Sequence, residues 1–282
     1  MKRVYCGIDV GTQGARCLLV TREGEVGGEG QSPYSRQNVK GLPENHFEQY
    51  PGDWLEAVKN AVCRAVSDMD TRGEPGQVGA MSVTSTSGTL CAVKSDGRLI
   101  RPAIMYSDAR SEAEAAEVQA AGRGLARSLG YSFKPSFALP KILWLKRNEG
   151  HSFDSADLFV SPTDYVIGWL TGEWGRTDQT NALKYGYDLL RNEWPAFIDD
   201  RLGIPQEKLP PLERTGARAG TLRGRMAREL GLESGIPVAA GLTDGCASLF
   251  SSGAVSPGQF NTTIGTTLVV KGVSKELLLD PE

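Results

Sequence analysis

The stretch that most constrains this chain is its first hairpin, Val4 to Val20, and within it Gly7-Ile8-Asp9-Val10-Gly11-Thr12-Gln13-Gly14-Ala15-Arg16. An apolar run (Val4, Tyr5, Ile8) ends in an aspartate, and a glycine turn leads into a second apolar run (Cys17, Leu18, Leu19, Val20). That pattern predicts strand, tight turn, strand. Gly11 and Gly14 can take positive φ and leave backbone N–H groups uncovered, which an anion-binding nest requires. Thr12 and Gln13 add side-chain donors, Arg16 adds a positive charge, and Asp9 suits a hydrated Mg²⁺. The same residues also fit an ordinary Gly-rich hairpin whose aspartate satisfies turn amides.

Bulk properties narrow the chemistry. The 282 residues suffice for a sizeable core. Lys and Arg number 31 against 34 Asp and Glu, a net charge of −3 with both signs scattered, so neither a nucleic-acid nor an anionic-membrane surface is expected. No apolar run is long enough to span a bilayer, and the N-terminus carries no signal-like apolar region, so a cytoplasmic location is expected. Five cysteines without paired spacing read as buried thiols. Only His46 and His151 exist, without Cys or His neighbours at ligand spacing, which argues against zinc and against Ser-His-Asp or Cys-His catalysis. An enzyme of this composition would use a carboxylate as its base.

Along the chain, a third strand is expected near 26–34, then a polar loop over 37–48. Pro51 and Asp53 open a helix whose apolar face is Trp54, Val58, Ala61, Val62, Ala65, Val66 and Met69. Strands follow at 78–83 and 89–94. From Ser107 the pattern turns helical, with helices predicted near 111–121, from Pro140, over 164–170, near Trp194 and over 223–230. A polar loop is expected between Thr171 and Tyr187. The last segment reads as a strand over 236–241, a small-residue helix over 246–253, and a strand-turn-strand over 259–273. The fold class is mixed α/β. A domain over 1–234 and the opening of a second over 235–282 are expected, since a closing hairpin with no sheet to join is marginal by itself.

Two further stretches carry chemistry. Thr84-Ser85-Thr86-Ser87-Gly88-Thr89 places five hydroxyls and a glycine at a strand end, which suits a polyhydroxylated ligand or a plain Ser/Thr turn. In Thr243-Asp244-Gly245 the aspartate is either a helix N-cap or a carboxylate aimed into a cleft beside a helix N-terminus. Taken with Gly265-Thr266-Thr267, which echoes Gly11-Thr12, two glycine-threonine turns and two aspartates suit phosphoryl transfer.

Four motifs in order, Gly7-Ile8-Asp9-x-Gly11-Thr12, Arg101-Pro102-Ala103-Ile104-Met105-Tyr106-x-Asp108-x-Arg110, Pro140-Lys141-Ile142-Leu143-Trp144 and Gly241-Leu242-Thr243-Asp244, resemble the FGGY carbohydrate kinases. The resemblance covers the whole chain and implies the actin-like ATPase (ribonuclease H-like) fold, a mixed sheet with flanking helices. Thr86-Ser87-Gly88-Thr89 and Asp178-x-x-Asn181-Ala182-Leu183-Lys184-x-Gly186-Tyr187 are most similar to D-ribulose kinases; xylulokinases usually carry Met-His-Gly where this chain has Thr86-Ser87-Gly88. The implied activity is ATP- and Mg²⁺-dependent phosphorylation of D-ribulose. D-Xylulose or ribitol as acceptor, or a non-catalytic sugar-binding module, are the alternatives. The resemblance also assigns roles. Asp244 would be the general base and touch the sugar. Gly11, Thr12, Gln13 and Arg16, with Gly265, Thr266 and Thr267, would hold the nucleotide phosphates. Asp9 would sit near the sugar and near Mg²⁺ through water, while Thr86, Ser87 and Gly88 would line the sugar pocket. Asp108, Arg110, Asn181 and Lys184 are weaker candidates. Family members continue well beyond this length with an adenosine-binding domain. The expectation is therefore a truncated chain, weakly active or inactive alone, with a homodimer or a separate C-terminal half as partner.

Overall fold

A computed structural model describes residues 2–73, 76–264 and 268–279. Its centre is a six-stranded mixed sheet. Strands β1 (Lys2–Val10), β2 (Gly14–Thr21) and β3 (Val26–Pro33) form an antiparallel meander. β4 (Gly76–Ser85) joins β1 in parallel, β6 (Pro237–Thr243) joins β4 in parallel, and β5 (Arg218–Thr221) closes the edge antiparallel to β6. The order is β5-β6-β4-β1-β2-β3. β6 therefore lies inside this sheet although it follows residue 234, where the first domain was expected to stop.

β1 alternates strictly: Val4, Cys6, Ile8 and Val10 are buried, while Tyr5, Gly7 and Asp9 face the other way. The buried face packs under α1 (Pro51–Thr71), whose Trp54, Val58, Ala61, Val62 and Ala65 point inward, as the 3.6-residue spacing predicts. A fully buried valine such as Val58 or Val62 contributes about 1.5–3 kcal/mol, and each alanine methyl less. Pro51 opens the helix, while Asp53 serves a different purpose: its buried carboxylate accepts bonds from Ser35 Oγ (2.8 Å) and Arg36 Nε (3.0 Å). β3 is rich in glycine because α1 lies directly on its backbone. A Cβ at Gly30 would collide with the Ala61 carbonyl, and one at Gly28 with that of Ala65.

A second, helical core surrounds Leu90, Leu139, Ile142, Phe159 and Tyr185. The strand expected over 89–94 shortens to Cys91–Val93 and pairs with Leu158–Val160, outside the main sheet. Cys91 and Val93 face the sheet core, while Ala92 faces the helical one. Helix α2 covers Glu112–Ala121; α3 (Ala138–Asn148) begins two residues before Pro140, a first-turn position where proline's missing N–H costs nothing. α4 (Pro162–Thr171) starts at a capping box in which Ser161 and Asp164 bond reciprocally.

The polar stretch after Thr171 is not simply a loop. It contains a short strand (Thr177–Asp178), a helical turn (Gln179–Ala182) and a 3-10 turn (Leu183–Tyr185). The Asp178 carboxylate organises it by accepting the N–H groups of Thr180 (2.8 Å) and Asn181 (3.1 Å). α5 (Gly224–Leu230) backs the sheet core, α6 (Asp244–Ser251) follows β6, and a hairpin of β7 (Phe260–Ile264) and β8 (Leu268–Gly272) comes last. No helix among the described residues is long and apolar enough to cross a membrane.

Candidate active site

Strand register brings the polar groups together. Asp9 stands opposite Arg16 on β2 and opposite Thr84 on β4, and Thr84 stands opposite Leu242 on β6. Directly opposed residues share a sheet face, so Asp9, Arg16 and Thr84 look the same way, away from α1. Asp244 follows β6 immediately, at the same end of the parallel strands. A cleft of 1120 Å³ runs from there across the sheet to β3 and α1; Asp9, Arg16, Thr84, Leu242 and Asp244 line one part and Leu18, Gln31, Arg64 and Asp68 another, while Gly11, Thr12 and Gln13 do not line it. Open α/β sheets place ligand sites outside the carboxyl ends of their strands, as here.

Asp9 is half-buried. Burial pushes its carboxyl above the ordinary range, Arg16 opposes the shift, and Asp244 adds to it. The two aspartates are thus close enough to repel. Asp244 is exposed, and among the described residues its recorded bond is the short one accepted by Oδ1 from the Gly245 N–H (2.7 Å). The helix cap is Thr243, so Asp244 begins the helix rather than capping it. Two like-charged carboxylates on one cleft fit a hydrated divalent cation, which would relieve their repulsion. An all-protein metal cage is not available, since no cluster of three His, Cys, Asp or Glu able to hold a metal occurs among the described residues.

The turn between β1 and β2 is braced from behind. Tyr34 Oη donates to the Gly11 carbonyl (2.6 Å), Gln49 Nε2 to that of Thr12 (2.9 Å), and Gln37 Nε2 to that of Gln13 (3.2 Å). Trp54 Nε1 in turn holds Gln49 Oε1 (2.8 Å). Burial, with the nearby Asp9, pushes the Tyr34 hydroxyl well up, keeping it a donor. Neither Gly11 nor Gly14 takes positive φ, so the conformational reason expected for these glycines does not hold. Gly14 is required by proximity instead: a Cβ there would stand 2.5 Å from the Ser32 carbonyl of β3.

The hydroxyl loop is mostly occupied with its own structure. Ser85 Oγ bonds Thr163 Oγ1 (2.6 Å), and Thr86 Oγ1 bonds Thr89 Oγ1 (3.2 Å). Gly88 has φ +79°, and a Cβ there would collide with the Ser136 carbonyl. Ser87 is half-buried, and neither Thr86, Ser87 nor Gly88 lines the large cleft. Thr89 Oγ1 accepts the Tyr106 N–H (3.1 Å), and the Tyr106 hydroxyl reaches Thr12 Oγ1 (3.4 Å). Tyr106 therefore joins the hydroxyl loop to the first turn, a link its motif contained but its spacing did not reveal.

The weaker candidates separate. Asp108 and Arg110 form a buried pair (2.8 Å), Arg110 reaches Glu48 (2.7 Å), and Asp108 also accepts the Phe47 N–H (2.6 Å). They brace the 45–48 segment and do not line the cleft. Asn181 Nδ2 donates to Asp178 (2.6 Å), leaving its buried Oδ1 without a partner. Thr180 Oγ1 donates to Asp178 (2.6 Å) and accepts the Thr243 N–H (2.8 Å), so this turn fixes the end of β6 just before Asp244. Lys184 stands over the Phe137 ring (4.1 Å); burial lowers its amine, and Asp244 partly restores it. Gly265, Thr266 and Thr267 lie outside the described residues.

Comparison with known proteins identifies the family and the fold. Residues 4–251 match the N-terminal domain of the FGGY family of carbohydrate kinases. The chain is 26% identical over 280 residues to the xylulose kinase of Escherichia coli, covering 99% of this chain and 56% of that protein. It is 29% identical over 298 residues to the ribulokinase of Geobacillus thermodenitrificans, covering 95% and 52%. A crystal structure titled as a xyloylose kinase from Brucella ovis superposes with a TM-score of 0.89 at 27% identity, covering 99% of this chain and 56% of that one. Xylulose kinase from Rhodospirillum rubrum shares the fold at a TM-score of 0.90 and 24% identity, covering 99% and 57%. The chain thus spans about half the length of the curated relatives it matches. With an actin-like sheet, two aspartates at its parallel strand ends and a family match over most of its length, this chain belongs to the FGGY family of carbohydrate kinases.

Proposed function

We propose that this chain supplies the sugar-binding side and the general base of an ATP-dependent pentulose kinase, with D-ribulose as the preferred acceptor. The observation that carries the reading is the placing of Asp9 and Asp244 on one cleft, at the ends of two parallel strands, β1 and β6, that flank β4. Asp244 takes the proton from the sugar's terminal hydroxyl as that oxygen attacks the γ-phosphorus. Such a base contributes about 10²–10⁴-fold. Positioning and charge neutralisation contribute more, since phosphoryl transfer asks little covalent chemistry of the protein. Asp9 would hold a Mg²⁺ ion through water, and that ion would neutralise phosphate charge. Gly11, Thr12, Gln13 and Arg16 would hold the nucleotide phosphates; the expected second phosphate motif, Gly265-Thr266-Thr267, lies outside the described residues. Thr86, Ser87 and Gly88 would meet the sugar only outside the cleft that Asp9 and Asp244 share, since none of them lines it, and Lys184 balances the charge of Asp244. A cytoplasmic location fits a reaction that draws on ATP.

D-Xylulose is the nearest alternative acceptor, supported by relatives named xylulose kinase at 26–27% identity; ribitol is a third. A non-catalytic, sugar-binding role is the remaining alternative. Calorimetry with D-ribulose, D-xylulose and ribitol, beside a coupled assay with MgATP, separates these readings. Tightest binding of D-ribulose is expected. Tighter binding of D-xylulose would reassign the acceptor, and binding of none would overturn the proposal.

A further inference from the structure

Lys141 is a fully buried amine to which the preceding reading gives no work. It occupies the first turn of α3, the positive end of a helix, where a cation is disfavoured. Among the described residues no carboxylate pairs with it at ion-pair distance. Its Nζ donates to two backbone carbonyls, those of Pro135 and Phe137 (3.2 Å for the latter). Burial pushes the amine down to about 7; Asp108 opposes that shift, while Lys184 and Arg110 reinforce it. A buried ammonium with only carbonyls for partners is costly, and an apolar chain of similar length would be cheaper. What the amine ties together is therefore informative.

The residues it cinches meet two of the residues that the family resemblance assigns to the site, Gly88 and Lys184, neither of which lines the cleft itself. The Ser136 carbonyl packs against the Cα of Gly88 so closely that no side chain could stand there. The Phe137 ring lies beneath Lys184 Nζ at 4.1 Å, and Lys184 is the cation that senses Asp244. We propose that Lys141 is a positioning residue of the sugar pocket: by holding residues 135–137 in a turn, it sets both the hydroxyl loop at Gly88 and the cation beside Asp244. The inference rests on reading this cleft as a pentulose site.

The test uses the 282-residue chain with Lys141→Met and, separately, Phe137→Leu, which keeps the carbonyl that Lys141 grips but removes the ring. Two signals are read: D-ribulose affinity by calorimetry, and the titration of the Lys184 amine by ¹³C NMR after reductive methylation, assigned with Lys184→Arg. Lys141→Met is expected to melt near the parent temperature, since removing an unpaired buried charge is often neutral or stabilising. It should weaken D-ribulose binding by roughly tenfold or more and return the Lys184 titration toward that of an ordinary lysine. Phe137→Leu should shift Lys184 in the same direction. Unchanged affinity and unchanged Lys184 titration in a folded Lys141→Met overturn the proposal. Should Lys141→Met fail to fold, an unmoved Lys184 titration in Phe137→Leu overturns it. If the parent chain binds no pentulose, the sugar-kinase reading fails, while the Lys184 titration still judges the role of Lys141.

Discussion

The opening and closing hairpins have nearly the same local pattern and opposite fates. In the sequence both read as strand, Gly-Thr motif, strand. In the first, Val4, Cys6, Ile8 and Val10 are each at most 2% exposed, covered by α1 and flanked by β4. In the second, Phe260 is 59% exposed, Ile264 83% and Leu268 66%, and among the described residues its strands pair only with each other. The contrast teaches that the local pattern specifies a hairpin but not its burial. Four side chains behind the first turn, Tyr34, Gln37, Gln49 and Trp54, make it rigid. Behind the second pair of strands the main tie is Lys271 Nζ to the Gly245 carbonyl (2.9 Å).

Four experiments would break or sharpen that contrast. The largest effect is expected at the strand end between the two hairpins: in an active assembly, Asp244→Asn should lower kcat by about 10²–10⁴-fold while leaving the melting temperature unchanged. Full turnover would remove Asp244 from its assigned role. Next, Gly30→Ala forces a methyl into the seam between β3 and α1, and should destabilise by about 1–3 kcal/mol in urea titrations. A neutral result would mean that α1 can lift off the first hairpin. Tyr34→Phe removes the 2.6 Å bond to the Gly11 carbonyl and should cost about 1 kcal/mol, with a further loss in phosphate-analogue binding. Smallest of all, Ile264→Thr in the closing hairpin should change stability by less than about 0.5 kcal/mol. It should nonetheless reduce self-association in sedimentation velocity, because exposed apolar strands drive contact between copies. A stability loss as large as that of Gly30→Ala would show that the two hairpins are equally integrated.

How much of this was readable beforehand follows the range of the interactions. β1, β2, α1 and β4 declare themselves through local periodicity, and their boundaries fall within a few residues of expectation. Asp9 and Asp244 each stand out as an aspartate at a strand end, but no spacing rule places them on one cleft. Their meeting depends on the β1-β4-β6 register, which here only the family resemblance supplied. The glycines of β3 and Gly14 look like turn chemistry, yet they answer to a neighbouring backbone that the local pattern cannot disclose. The Thr171–Tyr187 stretch reads as loop because its order comes from one carboxylate, Asp178, gripping two N–H groups ahead of it. Asp108 and Arg110 looked like site residues because buried charge and catalytic charge look alike in a sequence. Their partners, Glu48 and the Phe47 N–H, reveal the structural use.

The grip of Asp178 and Thr180 on the Thr243 N–H has an evolutionary consequence. Surface loops are where lineages ordinarily explore new ligands, because insertions there leave the scaffold untouched. This loop lacks that freedom. Any lengthening that moves Thr180 also moves the backbone one residue before Asp244. Descendants seeking a new acceptor would be expected to vary side chains at fixed loop length, with Thr180 retained.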